Sequence, residues 1–263
     1  MVSSNYLFDN ISQNDPQLVY DLVVSQSTDE ELLYGLWADN MLYKVGSFNA
    51  DSDLVELKDL TIKKVIILND EAPFRHVDFN VFDPNKFETY FASSANPLEQ
   101  NDKSALYEKL KEMKIYTLHY WDKSKISKYQ DLGSEMLPYH ISSAMANIIR
   151  NQEDQLLCYV SPNNLLHIAL KLDGKFHFYN QYECHTKQDY LYYVLLIAEN
   201  FNLTTGYFPL VVGGDIAEDS PIFELLKNYI RQIRFFESKR YTINNSTYPF
   251  HFYLPLIIAK ECA

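Results

Sequence analysis

One pattern occurs twice in this 263-residue chain: three short β-type runs joined by tight turns, then strands that alternate with helices. A chain that repeats such a unit is constrained to build two α/β layers of one plan, because each copy must cover its own sheet with helices. In the first copy the runs are Leu18–Val24, Leu32–Trp37 and Met41–Val45, with Asp39-Asn40 as the turn between the last two. In the second they are Leu156–Val160, Leu165–Leu170 and Phe176–Tyr182, with Asp173-Gly174 at the second turn, a strong hairpin signal.

The rest of each copy follows from local signals. Val65–Leu68 is a continuous apolar run between Lys64 and Asn69-Asp70, as expected of a strand covered on both faces. Asp83 as cap and Pro84 in the first turn predict a helix to about Ser93. A helix near Ser104–Met113, a strand Ile115–Tyr120 and a helix near Tyr139–Ile149 complete the first half, whose helix between residues 49 and 62 is expected to be lost or shortened. In the second half, Asp189–Phe201 has helical spacing and Phe208–Val212 is a buried strand closed by Gly213-Gly214. Asp219 or Ser220 caps a helix from Pro221 to about Tyr229, and Ile233–Phe236 returns as strand. The tail Phe252–Ala259 fits strand or helix, the latter if Pro255 sits in the first turn. The reading divides the chain into lobes 1–150 and 151–263.

Composition excludes several classes. A net charge of −12 argues against neutralising phosphates, so no nucleic acid is expected as a partner. Lys123, Lys125 and Lys128 are flanked by Asp122 and Asp131 and read as a solvated helix face. Apolar runs such as Leu191–Ala198 and Leu254–Ala259 fall far short of the roughly 20 residues a bilayer span needs, so no membrane insertion is expected. Cys158, Cys184 and Cys262 lack paired spacing, and the N-terminus has no basic stretch followed by an apolar core; a cytoplasmic protein is expected. The 21 Tyr and 16 Phe are assigned to sheets and interfaces ahead of ligand stacking.

Together with the duplicated plan, three segments carry a resemblance. They are Val81-Phe82-Asp83-Pro84 leading to Tyr90-Phe91, the Val212-Gly213-Gly214 turn, and Tyr248-Pro249-Phe250-His251. The chain resembles the actin-like ATPase superfamily (actin, Hsp70 and sugar kinases) and, more narrowly, a bacterial family of unknown function with that fold. The resemblance implies a duplicated actin-like, ribonuclease H-like α/β fold. Each of its two lobes has a mixed sheet that starts in a three-stranded hairpin ribbon, and relatives hold ATP or ADP with magnesium in the cleft between the lobes.

Such ATPases use two hairpin turns to present backbone amides to phosphate, and both turns depart from the pattern here. After Tyr20-Asp21, the stretch Ser25-Gln26-Ser27-Thr28-Asp29 has no glycine for close backbone approach. In the second hairpin, Cys158-Tyr159-Val160-Ser161-Pro162-Asn163 stands where an aspartate-glycine turn is expected, and Pro162 removes an amide donor. Gly213, Gly214 and Asp215 remain as the candidate nucleotide-base side, although two glycines also serve simply to turn a strand into a helix. Asp21 is the candidate magnesium residue if the protein is active. The leading expectation is a non-catalytic binding or assembly module with degenerate phosphate loops, working with another protein. The alternatives are a nucleotide-binding ATPase or kinase-like enzyme with divergent loops, and a nucleotide switch without hydrolysis. No catalytic or metal residues are assigned. The pairs His76 with Asp78, His119 with Asp122, and His140 with Ser142 and Ser143 fit no known elbow. A cluster of His167, His177, Cys184 and His185 requires the two strand histidines to share a face.

Overall fold

The computed structural model describes residues 8–9, 18–26, 31–49, 57, 59–70, 73–92, 103–122, 129, 131–204, 206–244, 246 and 248–263. In chain order the strands of the first half are β1 (Phe8–Asp9), β2 (Tyr20–Gln26), β3 (Glu31–Ala38), β4 (Met41–Asn49), β5 (Ile62–Asn69), β6 (Phe74–Asp78), β7 (Lys103–Leu110), β8 (Ile115–Asp122) and β9 (Glu135–His140). Helix α1 (Ile141–Arg150) leads into β10 (Gln155–Val160), β11 (Leu165–Leu172) and β12 (Lys175–Glu183). Then come α2 (Lys187–Asn200), β13 (Leu210–Gly214), α3 (Pro221–Tyr229), β14 (Ile233–Phe235), β15 (Thr242–Ile243) and α4 (Leu254–Lys260). Short 3-10 helices cover Pro84–Phe91 and Phe250–Tyr253.

The duplication is visible in strand order. One sheet runs β4-β3-β2-β5-β9 and the other β12-β11-β10-β13-β14. In both, the first ribbon strand is antiparallel to the second and parallel to the fourth, and the fourth is parallel to the fifth. The chain therefore has the two-lobed α/β fold that its sequence predicts. The central strands are near-continuous apolar runs because they are covered on both faces; Leu22, Val23, Val65, Ile66, Leu157, Val211 and Val212 are all fully buried. The two halves also exchange helices. α1, from the end of the first half, packs on β11 and β12, while α4, from the end of the second, packs on β2 and β5. Residues 254–259 of α4 are buried without exception, and a single core joins Val23, Ile66 and Ile257 to Leu157 and Val211. Burying a helix on all sides against both sheets couples the lobes through apolar contact.

Several local readings are corrected. Ser104–Met113 is not a helix: Lys103–Leu110 is β7, antiparallel to β8. Leu106, Leu110 and Met113 have helical spacing, but Leu106, Glu108 and Leu110 also alternate, and pairing with β8 decides between the two periods. The helix expected from Tyr139 starts at Ile141, because Tyr139 and His140 end β9, and Pro138 is accommodated because β9 is a sheet edge. The strand β6 was not anticipated, and β6, β7 and β8 form a separate three-stranded sheet inserted between β5 and β9. The tail is helical, with Pro255 in the first turn of α4. The first phosphate-turn position (residues 27–30), Lys123, Lys125 and Lys128, and most of the 49–62 connection lie outside the described residues.

Candidate functional site

The sequence-predicted site residues lie at two separate places along α4. At its N-terminal end, β13 closes in Gly213-Gly214 beside the C-terminal end of β10, where Val160 pairs with Gly214. Gly214 has φ +93°, and a Cβ there meets the Val160 carbonyl oxygen at 2.2 Å and the Tyr159 ring at 2.6 Å. A Cβ on Gly213 meets the Leu254 side chain at 2.8 Å and the His251 carbonyl oxygen at 3.2 Å. Both glycines are thus required by protein packed against them. The Asp215 N–H donates to the Val160 oxygen at 2.8 Å, and the Ile216 N–H to the Gly214 oxygen at 2.8 Å. His251 Nε2 donates to the Ile216 carbonyl at 2.9 Å, while the ring stacks on Phe235 with centroids 3.9 Å apart. Burial pushes the His251 pKa down and keeps the ring neutral.

At the other end of α4, Asp21 forms an ion pair with Lys260, with the two side chains 18% and 11% exposed. Lys260 is six residues from Leu254, roughly 9 Å along a helix. Asp21 sits at the start of β2, whereas Gly213 and Gly214 end β13. The structure does not bring Asp21 and the glycine turn together.

The β10–β11 turn keeps its hydrogen bonds inside the protein. The Ser161 N–H donates to the Leu165 oxygen at 2.8 Å, Pro162 has no N–H, and the Asn163 N–H points to Ser161 Oγ at 3.4 Å. Asn164 takes φ +60°, and its carbonyl accepts from the Cys184 N–H at 2.8 Å.

Behind that turn lies a run of aromatic and histidine side chains that sequence reasoning missed. The Tyr159 ring stacks on His167 at 5.1 Å, and His167 Nδ1 and the Tyr179 hydroxyl share a 2.8 Å hydrogen bond. Burial, reinforced by the negative charge of Asp70 at the end of β5, pushes both tyrosine pKa values up. From the inserted sheet, Phe74 stacks on His140 at 4.9 Å and meets Tyr179 edge-on at 5.2 Å, and His76 lies 6.0 Å from Phe176. Desolvation lowers the pKa of His76 to about 4 and of His167 to about 3. The inserted sheet is held by Glu108, whose Oε1 is 2.9 Å from His119 Nε2 and accepts the His140 N–H at 2.6 Å. Asn69-Asp70, standing just after the most apolar run of the first half, was the one sequence signal for this region.

The other drafted pairs serve local structure. His140 Nδ1 lies 2.7 Å from Ser142 Oγ and accepts the Ser142 N–H at 3.1 Å, so this buried pair caps α1. Asp78 accepts from Asn80 in an exposed turn, and His119 pairs with Glu108. His167 faces Tyr159 and Tyr179, while His177 abuts Phe201. Among the described residues no group of three or more His, Cys, Asp or Glu is placed to hold a metal ion. Among the same residues no helix is long and apolar enough to cross a membrane.

Two lobes of identical strand order, locked by exchanged helices, define an actin-like ATPase fold. A crystal structure of a Bacteroides thetaiotaomicron protein with that fold and unknown function matches with a TM-score of 0.70 at 15% identity, covering 96% of this chain and 99% of that one. A PilM–PilN type IV pilus biogenesis complex matches with a TM-score of 0.52 at 10% identity, covering 91% of this chain and 97% of its own. The chain belongs to DUF3822, a family of proteins of unknown function, whose model matches residues 53–233. No match to a curated protein was found.

Proposed function

We propose that this protein is a non-catalytic binding or assembly module in which the phosphate chemistry of the actin-like fold has lapsed, and that it acts on another protein. The observation that carries this reading is the β10–β11 turn. Where an actin-like ATPase offers amides to phosphate, Pro162 has none, and the N–H groups of Ser161 and Asn163 are directed to Leu165 and Ser161. The ion pair of Asp21 with Lys260 supports it, since a carboxylate neutralised by a lysine is a poor magnesium ligand. We take the lobes as 1–150 and 151–263, and the setting as cytoplasmic, supported by three cysteines that form no disulfide. A protein partner is favoured by analogy alone with the PilM–PilN complex, which shares the fold.

Calorimetry with ATP and ADP plus magnesium tests the reading: no saturable heat up to millimolar nucleotide is expected. One-site binding overturns it and moves the assignment to the Gly213-Gly214-Asp215 turn as the base side. In that event, Asp21→Asn distinguishes an ATPase, which loses turnover, from a switch, which has none to lose.

A further inference from the structure

A cavity of about 500 Å³ lies between the end of β7, Tyr139 of β9, one side of α1 and Cys262 just after α4. Neither Asp21 nor the Gly213-Gly214 turn lines it. α1 is buried along its length except at Asn147 and Arg150, and both of these line the cavity. The helix that packs on β11 and β12 of the second lobe therefore meets solvent here. The volume is that of a small-molecule site.

Opposite charges stand at different depths in the cavity. Glu108 is the inner one, with its side chain 10% exposed. Its Oε1 meets His119 and the His140 N–H, while Oε2 is buried without a hydrogen-bond partner. An unmatched carboxylate oxygen costs free energy that a cationic donor on a ligand recovers. Burial, reinforced by Cys262, Glu108 and Glu135, pushes the Tyr139 pKa up to about 12, so its phenol stays a donor. Arg150 and the exposed Lys111 stand further out. Arg150 pairs with Glu112 at 2.9 Å, but Glu112 is 68% exposed, and a ligand carboxylate replaces such a surface partner at little cost.

We propose that this cavity binds a small zwitterion, an α-amino acid or a dipeptide, with its ammonium on Glu108 and its carboxylate on Arg150 and Lys111. A plain amine leaves the cations unmatched and a plain acid meets the Glu108 carboxylate, so the two charges together select a ligand that carries both. Asn147 donates through Nδ2 to Cys262 Sγ at 3.5 Å, and its Oδ1 is an acceptor for the ligand. A ligand there touches β7, β9 and α1 together and ties the inserted sheet to the helix packed on the second lobe. The inference stands whether or not the cleft holds nucleotide.

Thermal melts and calorimetry of the full chain test this with the standard L-amino acids and a set of dipeptides, each beside its decarboxylated amine and its deaminated acid. At least one zwitterion should raise the melting temperature saturably and bind at one site, with both analogues weaker by roughly tenfold or more. Arg150→Gln should weaken the zwitterion by about tenfold and leave the amine analogue unchanged, whereas Glu108→Gln should erase the preference over the acid. Glu108 also holds His140, so Asn147→Ala is the second variant should Glu108→Gln fail to fold, and it should weaken binding by roughly fivefold. The proposal is overturned if no zwitterion shifts the melt or gives saturable heat, or if either analogue binds as tightly. Arg150→Gln or Asn147→Ala binding as the wild type does overturns it equally.

Discussion

The two lobes solve one topology with different attachments. Both build a ribbon, a parallel fourth strand and a parallel fifth, but what lies between the fourth and fifth strands is not the same. In the second lobe it is the nine-residue helix α3, which lies on its own sheet with Phe223 and Leu226 buried. In the first it is a three-stranded sheet that shares a core with its parent through Leu106 and Trp121 and sets Phe74 and His76 against Tyr179 and Phe176 of the other lobe. The shared part is fixed by apolar burial and tolerates duplication. The inserted sheet adds Phe74 and His76 to the filled region behind the β10–β11 turn, which Tyr159, His167 and Tyr179 of the shared ribbon line.

The comparison breaks most sharply at the second lobe's glycine turn. Gly214→Val puts a branched side chain at φ +93° with its Cβ 2.2 Å from the Val160 oxygen, so backbone must move in the most buried strand pair of that lobe. A loss of about 4 kcal/mol is expected, read as a fall in the urea midpoint. Because the whole domain is destabilised, reduced ligand binding by this variant says nothing about a ligand site. Unchanged stability shows that the turn yields easily and that the glycine serves something other than packing.

Acid sharpens the comparison next, because Tyr179 lies between two histidines held neutral by burial, His76 of the inserted sheet and His167 of the second lobe's own ribbon. His76 and His167 have folded pKa values lowered to about 4 and about 3 by burial, below the ordinary value of 6.5. Between pH 6.5 and 4 the unfolded chain therefore binds more protons than the folded one, and stability falls as pH falls. At pH 5 each histidine should cost about 2 kcal/mol relative to pH 7.5. Urea titrations at the two pH values check this, and replacing either histidine with glutamine should remove about half of their joint pH dependence. A flat profile means that neither ring is held neutral.

The shared part of the fold was legible because its signals are local. Apolar runs marked β2, β5, β10 and β13, and Asp173-Gly174 marked the second hairpin, where both residues take positive φ. Ser220 and Pro221 marked the start of α3, and Asp83 with Pro84 marked the 3-10 helix. The attachments were not legible, because partners far along the chain decide them. β7 had an ambiguous period resolved by β8, and the ion pair of Asp21 joins residues at opposite ends of the sequence. Of the candidate site, Gly213-Gly214 could be found as a turn, but that Leu254 and Tyr159 fill the space beside it depends on where α4 returns. The Tyr159–His167–Tyr179 run left no motif, since stacking of rings from neighbouring strands follows from register and burial.

The smallest effect compares the two hairpin turns. In the Asp39-Asn40 turn of the first lobe only Asp39 takes positive φ, at 52°, and the turn has no glycine. In the second, Asp173 at 50° is followed by Gly174 at 72°, with nothing within 4 Å of a Cβ built on Gly174. The only cost of a side chain there is backbone strain, in contrast to Gly214, where strain and collision coincide. Gly174→Ala should therefore lower stability by about 1 kcal/mol, and Gly174→Asn by less, because asparagine tolerates the left-handed region. The Gly174 N–H, which donates to Asp154 Oδ1 at 3.0 Å, is kept in both variants. Equal losses for alanine and asparagine would mean that the hairpin needs glycine for a reason other than its sign of φ, and the two turns would then differ in more than their residues.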